Sequence, residues 1–558
     1  MLHLHVLHSI YIFFRTVASR QDINGLVWNG TDGASRAEVL QAVRRNKALK
    51  QFSLITRRRF LAQAGLAAMA FRVGSALSPA SGLTTRLSTP CGRLTGLQAD
   101  GVLRFRGIPF AEPPTGPLRF LPPRRLRQWQ GELDATRFAA AAMQAGGSGL
   151  VRSEDCLYLN VSAPQGKGPF PVLVWIHGGG FLGGQSFDPL TNGAVMAKQG
   201  VVCVTVAYRL GVFGFLDMEP LLGEQYLGSA NNGLRDLMAA LEWVQENIAA
   251  FGGDPSRVTI GGESAGAKLI GILMGIPAAQ PLFHQAISQS GGAERIWPRS
   301  HGADVALGFE KNWRKRGNAA LLSAPATELI RAQGDFIANW PEHFPLRPVI
   351  DRILLPKPPV ATIANGSTRG KRLLIGTMRD ESAFFIGPHP QRPVSAGDLG
   401  NLTLESFGKV FDHYRALYPE ASDELLRIRS LTAEEYWLPS MRTVQAHEKG
   451  GGKSWLYRLD FSESSGPFRG CAYHSMDVRL VWNKPSLTVA NAAEEAAISQ
   501  QLHQAWLGFL HGKVPLSPGL PTWPEFHGDT RPTMILDSKS HVELRPQEEE
   551  LRLWDGVL

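Results

Sequence analysis

The chain has 558 residues, of which 44% are hydrophobic and 19% charged, an ordinary balance for a globular protein with a sizeable core. Its formal charge of +9 lies almost wholly in the first 80 residues, where eleven Lys/Arg face three Asp/Glu; the rest holds 47 against 46. That near-neutral body excludes an extended nucleic-acid surface, and the four cysteines, at 91, 156, 203 and 471, lack metal-ligand spacing.

From the N-terminus, the apolar run Leu2 to Phe14 is a candidate weak anchor, though it and the later run Leu61 to Phe71 fall short of the about 20 residues that a membrane span needs. Thr56-Arg57-Arg58-Arg59-Phe60-Leu61 resembles the twin-arginine export motif. An alanine-rich apolar run, Leu61 to Phe71, follows it, and small residues from Ser75 to Ser81 offer a cleavage site. The reading is a leader over 1–82 and one large domain over 83–558, exported to the periplasm or secreted. Signal n-regions are short, so a translation start downstream of Met1 is expected, with part of residues 1–50 not made.

From residue 171 onward short apolar runs alternate with helical stretches. Pro171 to His177 and Gly200 to Tyr208 are β-branched runs of strand length, and Arg257 to Gly261, Arg372 to Gly376 and Ser454 to Leu459 read as further strands. Between them, Leu234, Leu237, Leu241, Val244 and Ile248 recur every three or four residues, so Gly233 to Ala250 is predicted as an amphipathic helix. This alternation predicts an α/β fold with a mostly parallel central sheet flanked by helices. Ligands in such sheets collect at the carboxyl ends of the strands. Residues 296–345 and 387–450 carry charged helical patterns instead and are expected as long cap insertions. Length alone would allow several domains, but this map favours one large domain with insertions.

The most informative segment is Val258-Thr-Ile-Gly-Gly-Glu-Ser264-Ala-Gly266-Ala, which holds Gly262-x-Ser264-x-Gly266 between a predicted strand and a helix. A serine hydroxyl is a poor nucleophile unless it is held out from the backbone beside a base. A sharp strand-to-helix turn does the holding, with small residues two before and two after the serine. Upstream, Val174-Trp-Ile-His177-Gly-Gly179-Gly180-Phe181 places glycines after a strand, where backbone amides can approach a developing oxyanion.

With Gly107-Ile-Pro-Phe-Ala-Glu-Pro-Pro-Thr-Gly116, Ser153-Glu-Asp-Cys-Leu-Tyr-Leu-Asn160, Ala207-Tyr-Arg-Leu-Gly211, Gly233-Leu-Arg-Asp236, Phe251-Gly-Gly-Asp-Pro255 and Gln289-Ser-Gly291, these motifs stand in one order. From about Cys91 onward the chain resembles the type-B carboxylesterases: bacterial para-nitrobenzyl esterases, animal carboxylesterases and cholinesterases. The resemblance implies an α/β-hydrolase fold, a small-molecule ester substrate, and no metal or organic cofactor; it implies no oligomeric state. It assigns Ser264 as nucleophile, His474 in Ala472-Tyr-His-Ser-Met-Asp477 as base, and Glu381 in Gly376-Thr-Met-Arg-Asp-Glu-Ser382 as acid. Met378 and Ser382 depart from the family's Asn and Gly there, and Asp380 adjoins the acid. The oxyanion donors fall on the amides of Gly179, Gly180 and Ala265, each worth a factor of about 10² to 10³ in rate. His177 is read as shaping its loop.

Arg119 and Glu154 match a buried ion pair of the family, and Asn247, Asp254 and Asp351 match turn or cap residues. Ser290 has a supporting role near the nucleophile, and Trp506, Trp523 and Met534 fall in the core. The family's disulfide partner for Cys156 is missing, since the matching segment reads Ala142-Met143-Gln144; Cys203 is a core residue. Ala139 to Ser153 is short and holds no aromatic residue, so the cation–π site of cholinesterases is not provided there. Neutral aryl or alkyl esters are the expected substrates. A non-catalytic binding protein on the same fold, an acyltransferase and an amidase are the alternatives.

Overall fold

The computed structural model describes residues 82–557 apart from 148, 318 and 319. The leader's arginine motif lies outside the described residues. The strands are, in chain order, β1 (Leu83–Thr89), β2 (Gly92–Ala99), β3 (Val102–Pro109), β4 (Glu132–Asp134) and β5 (Ala141–Ala142). Then come β6 (Arg152–Ser153), β7 (Tyr158–Pro164), β8 (Phe170–Ile176), β9 (Val202–Val206) and β10 (Gly253–Glu263). The last are β11 (Gln285–Gln289), β12 (Arg372–Met378), β13 (Lys453–Leu459), β14 (Pro532–Leu536) and β15 (His541–Leu544).

One sheet runs β1-β2-β3-β7-β9-β8-β10-β11-β12-β13-β14-β15, with β4 added beside β2, while β5 and β6 pair apart from it. From β9 to β14 every neighbour is parallel; the strands outside that run are antiparallel to their neighbours along the path. Strand β8 lies between β9 and β10, so successive crossovers leave it in opposite directions and open a crevice at its carboxyl end. Both glycine-bearing motifs of the sequence emerge there.

Burial explains why these segments form these elements. All five residues of β9 are buried, as befits a β-branched strand covered on both faces. The helix Asn232–Asn247 buries Leu234, Leu237, Leu241 and Val244, and Ile248 continues the stripe into the next turn. Helices Arg299–Arg314, Ala326–Asn339, Leu404–Leu417, Asp423–Thr432 and Leu438–Lys449 fill the two insertions. Among the described residues no helix is long and apolar enough to cross a membrane.

The structural roles read for Arg119, Glu154, Asp254 and Asp351 hold. Arg119 donates to both carboxylate oxygens of Glu154, at 2.7 and 2.5 Å, and to the carbonyls of Leu321, Leu322 and Ala324. Asp351 accepts the amides of Ile353, Leu354 and Leu355, and Asp254 accepts that of Ser256. Asn247 instead ties its helix to the N-terminal strands, its side-chain oxygen accepting the amide of Cys91 at 3.2 Å. Trp506, Trp523, Met534 and Cys203 are core residues, and all four cysteines are free thiols.

Candidate active site

Strand β10 ends at Glu263, and the helix Ala265–Met274 begins two residues later, so Ser264 alone makes the turn. It does so at φ 55°, ψ −124°, a strained conformation for a residue with a side chain. Its amide donates to the carbonyl of Gln289 at the end of β11, and its carbonyl accepts the amide of Lys268, both at 2.9 Å. The flanking glycines act differently from the sequence expectation. Gly262 and Gly266 have ordinary backbone angles, and what they permit is contact: a Cβ on either would run into the carbonyl oxygen of Ile176 on β8. The elbow is tight because the neighbouring strand presses against it on both sides of the serine.

His474 stands on the loop between β13 and the short helix Met476–Val481, and Glu381 on the turn after β12. The imidazole bridges them: Nε2 lies 2.9 Å from Ser264 Oγ, and Nδ1 lies 2.5 Å from Glu381 Oε2. With Nδ1–H donating to the carboxylate, Nε2 is left to accept from the serine hydroxyl. The second oxygen of Glu381 accepts the amide of Met378 at 2.8 Å, so the Met-for-Asn departure leaves the acid held by backbone. Asp380 is engaged elsewhere, accepting from Arg379 and from the amide of Ala472. All three residues brought together from the sequence are buried.

Glu263 is a site residue that sequence reasoning missed. Its Oε1 lies 3.2 Å from His474 Nε2 and accepts from the hydroxyl of Ser475. The signal was its place immediately before the nucleophile, but position alone does not state which way a side chain turns. Burial by itself would lower the affinity of His474 for a proton; the carboxylates of Glu263 and Glu381 outweigh it and hold the imidazole above its ordinary value. Burial raises Glu263 as well, and pushes Asp477, which accepts from Tyr457, up to about 7.

The glycine loop takes up the facing side. Gly179 and Gly180 have φ of 113° and 63°, which open the loop, and their amides donate to no other described group. Ala265 is the first residue of its helix, so its N–H has no acceptor within it. His177 is buried, stacks on Tyr208 with centroids 4.6 Å apart, and is pushed by burial down to about 4, which keeps it neutral. Its Nδ1 lies 2.9 Å from the carbonyl oxygen of Gly178 in the glycine loop. Ser290 is buried at the end of β11 with its amide on the carbonyl of Gly376, and its hydroxyl meets no partner among the described residues. Rings close the space around the imidazole: Tyr436 at 4.8 Å and Phe385 at 5.1 Å from His474, with Phe344 packed against Gly180.

A parallel sheet with a serine elbow at its switch point, and an imidazole bridging that serine to a carboxylate, defines the class as an α/β hydrolase of the serine type. Residues 84–554 match the carboxylesterase family, and the chain belongs to that family: it is a carboxylic ester hydrolase. It is 36% identical over 489 residues to the para-nitrobenzyl esterase of Bacillus subtilis (strain 168), covering 83% of this chain and 97% of that protein. It is 33% identical to the fumonisin B1 esterase of Sphingopyxis macrogoltabida, with 78% and 84% covered. Against the liver carboxylesterase of Sus scrofa the identity is 30%, with 83% and 90% covered. Among solved structures, a PNB esterase superposes with a TM-score of 0.74 at 34% identity, over 84% of this chain and 99% of the other.

Proposed function

We propose that Ser264 attacks the carbonyl of a neutral aryl or alkyl ester, with His474 taking its proton and Glu381 orienting the imidazole. The oxyanion faces the amides of Gly179, Gly180 and Ala265. The imidazolium then protonates the departing alcohol and leaves an acyl group on Ser264. Water then gives a proton to the same histidine and attacks the acyl carbon; the bond to Ser264 Oγ breaks, the histidine returns the proton to Oγ, and the acid leaves. The observation that carries this reading is the single imidazole in hydrogen-bond reach of both Ser264, at 2.9 Å, and Glu381, at 2.5 Å. The preference for neutral esters is supported by the lack of an aromatic residue in Ala139 to Ser153, where a cation–π site would stand. A relative named for a para-nitrobenzyl ester accords with an aryl group.

The test is hydrolysis of para-nitrophenyl esters of increasing acyl length, wild type beside Ser264→Ala. Turnover that disappears in the variant is expected, and the length profile sizes the acyl pocket. Turnover that persists in Ser264→Ala would sink the assignment of the nucleophile.

The proposal extends to the leader: residues 1–82 contain a twin-arginine export signal, with translation starting downstream of Met1 and part of 1–50 not made, and 83–558 form the catalytic domain. The arginine run at 57–59, the concentration of positive charge before residue 81 and the four free cysteines support it, because that route carries proteins already folded in a reducing cytoplasm. Changing Arg57 and Arg58 together to Lys is expected to leave esterase activity in the cytoplasmic fraction. Unchanged export in that variant would overturn the route.

A further inference from the structure

Behind the ring-lined wall lies a buried cluster of charge that the hydrolytic step does not use. Lys268 stands one turn after Ser264 on the helix Ala265–Met274, and its side chain is only 5% exposed. Lysine is among the residue types least often buried. Its ammonium donates to Oε1 of Glu435 and lies 4.5 Å from the centre of the Tyr436 ring. Arg295 pairs with the other oxygen of the same carboxylate. Glu435 and Tyr436 belong to a π-helical turn, Ala433–Trp437, set between the helices Asp423–Thr432 and Leu438–Lys449. Such turns are rare and concentrate at functional sites. Here the turn carries Tyr436 to its contact with the imidazole of His474.

The remaining charges of the cluster are committed to the backbone of the cap. Arg347 donates to the carbonyls of His343, Phe344 and Gly400, and Glu434 accepts the amides of Gly400, Asn401 and Leu402. Three buried cations, Lys268, Arg295 and Arg347, stand among four buried carboxylates, Glu263, Glu381, Glu434 and Glu435. Glu435 already has Arg295 as an ion partner, so Lys268 is not needed to neutralise it. A second buried cation on one carboxylate is costly. What it supplies is a direct link from the helix that carries Ser264 to the turn that carries Tyr436.

We propose that Lys268 is a positioning residue: through Glu435 it holds the π turn so that Tyr436 lies against the imidazole of His474 and fixes the ring that moves the proton. The inference rests on His474 being the base. The charged and titratable groups acting on His474 are Glu263 and Glu381, which favour its protonated form, and Lys268, which opposes it, with buried Asp477 three residues on. Those acting on Lys268 are Glu435, Arg295, Arg347, Glu381, Glu434 and Glu263. Removing the ammonium therefore leaves the two carboxylates beside His474 less opposed.

The experiment is a double-mutant cycle of Lys268→Met and Tyr436→Leu, read as kcat/KM against pH on a para-nitrophenyl ester, with thermal melts alongside. Lys268→Met is expected to fold, to lose about tenfold in kcat/KM, well within the ~10² that a 1 Å misplacement can cost, and to move the acid limb to higher pH. In the Tyr436→Leu background the same change is expected to cost little more. Wild-type rate and limb in Lys268→Met would overturn the proposal, as would losses that multiply in the double variant. If Lys268→Met shows no cooperative melt, Tyr436→Leu decides alone, and a wild-type kcat/KM there overturns it. Ser264→Ala run in parallel separates the two readings. Turnover persisting in it defeats the nucleophile assignment, whereas a Ser264-dependent enzyme indifferent to Lys268 defeats only the link.

Discussion

His474 sits under opposing influences: burial disfavours its charged form, and two carboxylates within 3.2 Å of its nitrogens favour it more strongly. As the proposed base, an imidazole held above its ordinary value must lose its proton at a higher pH before it can accept one from Ser264. The acid limb of kcat/KM is therefore expected above the usual ~6.5. Glu263→Gln removes one carboxylate without changing shape, and its limb is expected at lower pH than that of the wild type; a limb that stays in place would show Glu263 to be electrostatically silent. Glu381→Gln acts otherwise, since it disturbs the tautomer that leaves Nε2 free. A loss in kcat of about 10⁴ is expected, with little change in melting temperature. That Ser264, Glu381 and His474 would meet was legible in the sequence because each stands in a motif with a recognisable set of residue types. Glu263 and Lys268 were not, though both lie within four positions of the serine. Their roles depend on partners 167 to 212 positions away, and no local pattern encodes those distances.

At the scale of elements, the elbow is a contact between neighbours as much as a turn. Ile176 at the end of β8 offers its carbonyl to the space that a Cβ on Gly266 would fill, with the carbonyl of His177 close behind. Gly266→Ala must push the serine helix away from the loop that carries Gly179 and Gly180. A destabilisation of about 1–3 kcal/mol is expected from the overpacking, seen in denaturant unfolding, and a loss of kcat should accompany it. Full activity with full stability would mean that the strand yields freely. The strands read from the sequence were those with short continuous apolar runs. β11, Gln-Ala-Ile-Ser-Gln, escaped because its polar residues look like loop, yet all five are buried. Gln285 explains how: its amide donates to the hydroxyl of Thr259 and to the carbonyl of Phe509. The N-terminal strands escaped for the opposite reason, since β1 is largely exposed and shows no apolar run.

Across the whole molecule, everything that the proposed chemistry requires comes from the strands and loops after residue 82. The elbow, the glycine loop and the acid turn hang on a continuous parallel run from β9 to β14, and the N-terminal antiparallel strands extend that sheet from its other edge. The body's own ion pairs fasten it, as where Arg209 grips both oxygens of Asp236 at 2.8 and 2.7 Å in full burial. No residue of 1–81 stands among the proposed catalytic or oxyanion groups, and that segment carries eight of the nine net positive charges. A chain begun at Gly82 is therefore expected to keep kcat/KM within about twofold, because screened charges outside a site contribute little to neutral-ester turnover. It is also expected to lose retention on a cation exchanger, its balance having fallen from +9 to +1. Steady-state kinetics and elution in a salt gradient, run on the same two preparations, check both halves. A truncated chain that elutes early but hydrolyses poorly would assign the leader a part in the fold or the site, and the division at residue 82 would have to be redrawn.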